Sequence, residues 1–152
     1  MIKKFLFFRL YFFIIILFSY SFAMAYEEPS FKIVHQTDKY EIRHYQERLA
    51  VQSTYTNQNS SFRNLFNYIS GANQDSQKIK MTTPVTQYDN NSEIVMQFYL
   101  PSKYTSKTAP IPNDPRVTLI NIEEGYYAVI RYSGNARDKN FDKHAQILRT
   151  SL

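Results

Sequence analysis

Apolar and polar positions alternate along much of the chain, and this alternation predicts strands. The alternating stretches are rich in β-branched and aromatic residues, as half-buried strands usually are. They cover residues 31–35, 40–45, 49–55, 82–87, 93–100, 117–122 and 126–132. Pro84 cannot donate a ladder hydrogen bond, so we expect its strand at a sheet edge or at a bulge. The last two stretches, joined by residues 123–125, predict a hairpin.

Two further segments have the spacing of helices that face a core. The first apolar stripe has the spacing i, i+3, i+4, i+7 and consists of Phe62, Leu65, Phe66 and Ile69. Residues 59–61 are N-cap types, and Gly71 is placed to end this helix in the left-handed conformation. A second helix is predicted over residues 138–152. Its stripe has the same spacing and consists of Phe141, His144, Ala145 and Leu148.

The two halves of the chain share a pattern, which predicts an internal repeat. Similar residues recur 78 or 79 positions apart, namely Ile42 and Ile120, Ala50 and Ala128, Val51 and Val129, Phe62 and Phe141, and Ile69 and Leu148. A strand pair follows the first helix as far as Leu100, and no counterpart follows the second helix. We therefore expect the second repeat to be incomplete, with unpaired strand edges.

Composition excludes several classes of site. The chain has 152 residues, which favours one domain, and it contains no cysteine. Disulfides, thiolate metal sites and cysteine nucleophiles are therefore excluded. Only three glycines are present, too few for a glycine-rich phosphate loop.

The N-terminal segment, residues 1–25, has the pattern of a secretory signal peptide. Lys3, Lys4 and Arg9 provide the positive region, residues 10–18 are apolar, and residues 23–25 read Ala-Met-Ala, a cleavage pattern. We expect an exported protein, periplasmic or secreted, that begins at Tyr26 and is not stably inserted in a membrane after cleavage. An uncleaved N-terminal anchor is the alternative.

Removal of this segment changes the charge. The whole chain carries a formal charge of +5, but residues 26–152 hold 15 basic and 13 acidic residues, a net +2. The two signs are interspersed, which does not resemble a nucleic-acid-binding surface. We expect no nucleic-acid partner.

One histidine is a candidate ligand because of its position in a predicted strand. In the sequence YEIRHY, His44 shares a strand face with Tyr40 and Ile42. A neutral imidazole on an apolar wall can ligate iron or zinc. The alternative is a half-buried histidine that bonds a neighbouring carbonyl.

A second motif, KIKMTTPVT, begins at Lys78. Lysines beside Met81 and a Thr-Pro step are suited to the rim of a pocket, where cations pair with carboxylates and methionine adapts to an apolar ligand. The alternative is a solvated lysine pair before an edge strand.

In this order, these motifs resemble the SOUL family of haem-binding proteins. The resemblance covers roughly residues 38–152 and rests on YEIRHY, FRNLFNYISGANQ, KIKMTTPVTQY, FYLPSKY, PIPNDPRV and HAQILRT. It implies an α+β fold in which two β-α-β-β repeats with two helices form a distorted antiparallel barrel. It also implies a non-enzymatic protein that binds haem or another tetrapyrrole in an apolar groove beside the first helix.

The resemblance further implies candidate site residues. The histidine of YEIRHY is an axial ligand in some members, which maps to His44. Other members hold the porphyrin by apolar contacts and basic groups, so Arg63, Lys80 and Met81 are further candidates by position. Family members continue with two strands that carry YY-x-AGY and NEVW segments. Neither segment occurs here, so we expect residues 26–152 to be a truncated member with weak haem affinity.

Two alternatives to haem binding stay open, and neither is an enzyme. The chain contains no G-x-S-x-G motif, and Glu123-Glu124 with three histidines elsewhere forms no catalytic pattern, so we do not expect an enzyme. A binding module for other apolar or cationic small molecules is the main alternative. A truncated remnant that binds nothing is the other.

Overall fold

A computed structural model describes residues 26–55, 58–90, 93–135 and 137–152. The predicted signal peptide therefore lies outside the described residues. The described residues form seven strands and two helices. The strands are β1 (Phe31–Gln36), β2 (Glu41–Tyr45), β3 (Arg48–Tyr55), β4 (Val85–Asn90), β5 (Glu93–Tyr99), β6 (Thr118–Ile122) and β7 (Gly125–Val129). The helices are α1 (Gln58–Ile69) and α2 (Asp138–Ser151).

The strands form two antiparallel sheets, with the orders β1-β2-β7 and β4-β5-β3-β6. The α+β class is confirmed. In the described part of the chain the sheets do not close into the expected barrel, because no ladder joins them. β4 lies at the edge of its sheet directly after Pro84, as the missing proline donor requires.

The predicted hairpin between β6 and β7 is wrong. β6 pairs with β3, whereas β7 pairs with β2 in the other sheet. Residues 123–124 therefore carry the chain from one sheet to the other instead of turning it back on itself. Alternation within each strand could not distinguish these outcomes, because both place the same side chains on the same strand faces.

Strand register supports the internal repeat. Ala50 lies opposite Ile120, and Ile42 lies opposite Ala128. A shift of 78 positions converts each pair into the other. The pairs formed by Arg48, Leu49 and Val51 with β6 convert in the same way into pairs between β2 and β7. An approximate two-fold relation therefore connects the β2–β3 and β6–β7 segments.

Arg48 connects the two sheets. Its guanidinium carbon lies 4.4 Å from the ring centre of Tyr45 on β2 and 5.0 Å from that of Tyr127 on β7. It also lies 5.1 Å from the ring centre of Tyr99 on β5. Each cation–π contact is worth about 0.5–1 kcal/mol when exposed and more when desolvated.

The main core lies where α1 packs against β3 and β5. α1 contributes Leu65, Tyr68 and Ile69 to this core. The proline-rich segment after β5 also covers it and contributes Tyr104, Ala109 and Val117. Among the described residues of α2, by contrast, none is buried, and Phe141 is largely exposed. Neither described helix is long and apolar enough to cross a membrane.

The end of α1 agrees with the prediction for Gly71. Its φ angle is +116°, in the region that favours glycine. The amide of Ala72 donates to the carbonyl of Asn67, and that of Gly71 donates to Tyr68. This is the Schellman pattern, which satisfies carbonyl groups at the end of a helix.

We predict that α1 is stabilised by Leu65 much more than by Phe66. Leu65 is fully buried, so Leu65→Ala is expected to lower the free energy of unfolding by about 2–5 kcal/mol. Phe66 is exposed, and Phe66→Ala is expected to cost less than about 1 kcal/mol. Urea unfolding of both variants checks this. Equal losses would contradict the observed orientation of α1.

The buried phenol of Tyr68 should make the stability of the protein depend on pH in the alkaline range. Burial, with contributions from Tyr104 and Asp75, raises the pKa of Tyr68 from 10.0 to about 12. The unfolded chain therefore loses this proton first, and stability declines as the pH rises from 10 towards 12. In Tyr68→Phe this decline is removed, together with the hydrogen bond to Pro110.

The difference in unfolding free energy between wild type and Tyr68→Phe should therefore shrink as the pH rises from 10 towards 12. Urea unfolding below pH 10 and again near pH 12 measures it. A constant difference would show that the folded protein does not perturb the phenol.

Candidate functional site

The outer side of α1 carries two exposed phenylalanines. Phe62 is 42% exposed and Phe66 is 47% exposed. Their rings stack with centres 6.1 Å apart and planes 12° from parallel. Phe62 also meets the ring of Phe98 on β5 edge-on, at 5.3 Å. The pair therefore forms an apolar shelf that continues directly into the core.

The rotation of α1 explains why these rings are exposed. The face that meets the sheet is centred on Ser61, Asn64, Leu65 and Tyr68, all of which are buried. Ser61 is small, which permits close approach of the helix to the sheet. Phe62 and Phe66 each follow a buried residue by one position, about 100° further around the helix. The sequence prediction that all four stripe residues face the core is therefore wrong for these two.

The shelf extends onto the edge strand β4. Val85 lies opposite Phe98 in the β4–β5 register, so both side chains are on the sheet face that α1 covers. Val85 is more than one-third exposed, whereas Phe98 is buried. We call Phe62, Phe66, Phe98 and Val85 the aromatic shelf.

Two exposed cations lie on α1 and in the segment that follows it. Arg63 is exposed on α1, three residues before Phe66 and thus on a neighbouring surface position. Lys80 is exposed in the segment before β4. Within the described chain neither cation has an ion-pair partner. Both are therefore available to an anionic group.

Met81 lies next to Lys80 and is half-buried against the core. The amide of Ile79 donates to the carbonyl of Ile69 at 2.8 Å, which holds this segment against the end of α1. The structure thus brings Arg63, Lys80 and Met81 to α1 and its surroundings. Their role in binding stays a prediction.

His44 lies elsewhere, on β2 in the three-stranded sheet. Its Nε2 is 3.2 Å from the carboxylate of Glu124, and its ring lies 4.6 Å from that of Tyr126. Only 17% of its side chain is exposed. Within the described residues it shares no hydrogen bond, ion pair or ring contact with Arg63, Lys80 or Met81. The structure therefore separates the candidate residues into two groups.

The surroundings of His44 limit what it can hold. Among the described residues, no group of three histidine or acidic side chains is arranged to hold a bare metal ion. A haem iron needs fewer protein ligands, because the porphyrin supplies four. The carboxylate of Glu124 contacts Nε2 of His44. This contact must therefore break before Nε2 can bind a haem iron.

Sequence reasoning missed the partner of His44 and the exposure of the aromatic shelf. Glu124 is 80 positions from His44, and only the pairing of β2 with β7 brings them together. The exposure of Phe62 and Phe66, by contrast, could have been predicted from the sequence. The apolar positions from 62 to 69, Tyr68 included, span about 160° of the helix, more than the roughly 100° that a core-facing stripe needs.

Comparison with known families decides the relationship. A family model described as SOUL heme-binding protein matches residues 26–152. The chain belongs to the SOUL heme-binding protein family. The resemblance inferred from the motifs is thereby confirmed, and the SOUL family is a family of haem-binding proteins.

This SOUL protein is similar to heme-binding protein 2 of Homo sapiens. The two are 34% identical over 98 residues, which cover 53% of this chain and 48% of the human protein. The SOUL chain thus spans about half the length of this relative.

Proposed function

We propose that the protein binds haem or a related tetrapyrrole on the aromatic shelf, without catalysing a reaction. The observation that carries this proposal is the stacked pair Phe62–Phe66, which stays exposed although it continues into the core. Membership of the SOUL heme-binding family supports the ligand class. The residues fit such a ligand, because a flat macrocycle can lie against an apolar aromatic surface.

Apolar burial would supply most of the binding free energy. Each 100 Å² of apolar surface removed from water is worth about 2.5 kcal/mol. Arg63 and Lys80 would pair with the carboxylates of an amphipathic porphyrin and orient it. Met81, half-buried nearby, offers an adaptable apolar contact. A surface open on one side retains part of the ligand in water, so we propose weak binding.

His44 remains the proposed axial ligand in a second arrangement. There the porphyrin would lie against β2 and β7 beside Tyr126, away from the aromatic shelf. The contact between His44 and Glu124 would have to open, or Nδ1 would have to serve instead. The two arrangements predict that different substitutions weaken haem binding.

Charge distinguishes tetrapyrroles from the alternative ligands. A lipophilic cation would meet Arg63 and Lys80, which have no anionic partner within the described residues. These cations disfavour such a ligand and favour one with carboxylates. A non-enzymatic role is supported by the family, which is one of binding proteins.

We predict that hemin binds with a change in its Soret absorption that depends on the aromatic shelf. Phe66→Ala is expected to weaken binding about tenfold, because it removes exposed aromatic surface. The double variant Arg63→Glu/Lys80→Glu should weaken it several-fold. Absorption titrations measure both, and circular dichroism confirms folding.

Two controls make this titration decisive. Tyr88→Ala removes a similarly exposed ring of β4, but from the opposite face of the sheet, and should leave binding unchanged. His44→Ala should also leave binding unchanged if the shelf is the site. A Soret change abolished only by His44→Ala would favour axial ligation. No Soret change at all would favour another ligand or a remnant that binds nothing.

We also propose that the protein is exported, and we predict the N-terminal residue that export would leave. If residues 1–25 are a cleaved signal peptide, the protein recovered outside the cytoplasm begins at Tyr26. Intact-mass spectrometry of that protein checks this, and Ala23→Lys should block the cleavage. A membrane-bound product that begins at Met1 would instead indicate an uncleaved anchor.

A further inference from the structure

A polar cleft lies along the side of α1 that faces away from the aromatic shelf. Residues of α1 form one wall, and residues 112–116 of the proline-rich segment form the other. The described residues that line the cleft all fall between positions 64 and 116. Asn64, on the α1 wall, is two positions from both Phe62 and Phe66, and thus about 160° from each around the helix. The cleft is therefore separate from the proposed haem site.

Hydrogen bonds fix the two walls of this cleft. The hydroxyl of Tyr68 donates to the carbonyl of Pro110 at 2.9 Å, and the backbone amide of Gln74 donates to the carbonyl of Ile111 at 2.9 Å. The cleft has a volume of about 490 Å³. This volume lies within the range of pockets that bind small ligands. Because the cleft is already formed, binding requires little ordering of the protein.

Side-chain amides without partners line the cleft. Asn64 is only 9% exposed, and its side-chain amide makes no hydrogen bond to any described residue. The side-chain amides of Asn67 and Asn113, which line the same cleft, also have no hydrogen-bond partner in the described part of the chain. Polar groups that are nearly buried are usually hydrogen-bonded. The free amide of Asn64 therefore points to a ligand that supplies the missing bonds.

The charge and ring content of the cleft limit the class of this ligand. Arg116 donates to both carboxylate oxygens of Asp114, at 2.9 and 2.7 Å, so the two charges in the lining compensate each other. This favours an uncharged ligand. Tyr68 is the one aromatic residue among the described lining residues, and it is 1% exposed. No ring face is therefore available for a sugar or a nucleobase to stack on.

The main chain of an extended peptide satisfies these conditions. Each peptide unit presents one N–H donor and one carbonyl acceptor, and the amide of an asparagine side chain offers the complementary pair. Asn64 and Asn67 are three positions apart and are neighbours on the surface of α1, with Asn113 on the facing wall. We propose that this cleft binds an uncharged, extended peptide segment of a partner protein through these three amides.

Nuclear magnetic resonance with a defined probe tests this proposal. The probe is acetyl-tetra-alanine amide, which is uncharged and offers little besides its main chain. At millimolar concentrations it should shift the side-chain amide signals of Asn64, Asn67 and Asn113 in a saturable way. The control is the same peptide with every amide nitrogen methylated. It keeps its carbonyl groups but has no N–H donor, so it should leave these signals in place.

A matched pair of variants separates binding from folding. Asn64→Leu keeps a side chain of similar size and should weaken peptide binding at least tenfold. It should unfold at the same or a higher urea concentration than the wild type, because an amide without a partner is removed from a nearly buried position. Asn121→Leu changes an exposed asparagine on β6, outside the cleft, and should leave peptide binding unchanged. The hemin titration of Asn64→Leu should match that of the wild type.

Four results would overturn the proposal. The peptide could leave the cleft signals in place, or its methylated form could shift them equally. Shifts could instead centre on the open edge of β4, which would mean that the peptide adds to the sheet as a strand. Asn64→Leu could bind the peptide as tightly as the wild type. Finally, maltotetraose could shift the cleft signals where the peptide does not, which would identify a carbohydrate site.

Discussion

The packing of one helix face against β3 and β5 determines most of what this protein can do. Leu65 and Tyr68 occupy the centre of that face, and the hydroxyl of Tyr68 donates to the carbonyl of Pro110 at 2.9 Å. These contacts set the rotation of α1 about its axis. Once the rotation is set, Phe62 and Phe66 cannot also enter the core. The aromatic shelf is therefore a consequence of core packing, and the proposed binding function depends on it.

The division of the strands into two sheets separates His44 from the aromatic shelf. Arg48 holds the sheets together through rings from β2, β5 and β7. His44 lies in the three-stranded sheet with Glu124 and Tyr126, while α1 packs on the four-stranded sheet. A binding surface on α1 and an iron ligand on β2 are thus two separate hypotheses. The family relationship supports haem as the ligand class but does not choose between them.

Local structure could be predicted from the sequence, whereas pairing and orientation could not. Alternation located the strands, and Gly71 ended α1 as expected, because both depend on neighbouring residues. The partners of β6 and β7 depend on residues about 80 positions away, and both turn choices preserve the alternation. The rotation of α1 about its axis was also predicted wrongly. The apolar residues of α1 cover a wider arc than the sheet can bury, so the sequence did not show which of them face the sheet. The 78-residue repeat was the one long-range feature visible in the sequence, and it reappears in the strand register.

The position of the bound macrocycle distinguishes binding on the aromatic shelf from ligation by His44. Nuclear magnetic resonance of the isotopically labelled protein with ferric hemin would report it, because the paramagnetic iron broadens signals nearby; gallium protoporphyrin serves as the diamagnetic control. Binding on the aromatic shelf predicts broadening centred on Phe62, Arg63 and Phe66. Broadening centred on His44 and Tyr126, with the signals of α1 unchanged, would contradict it.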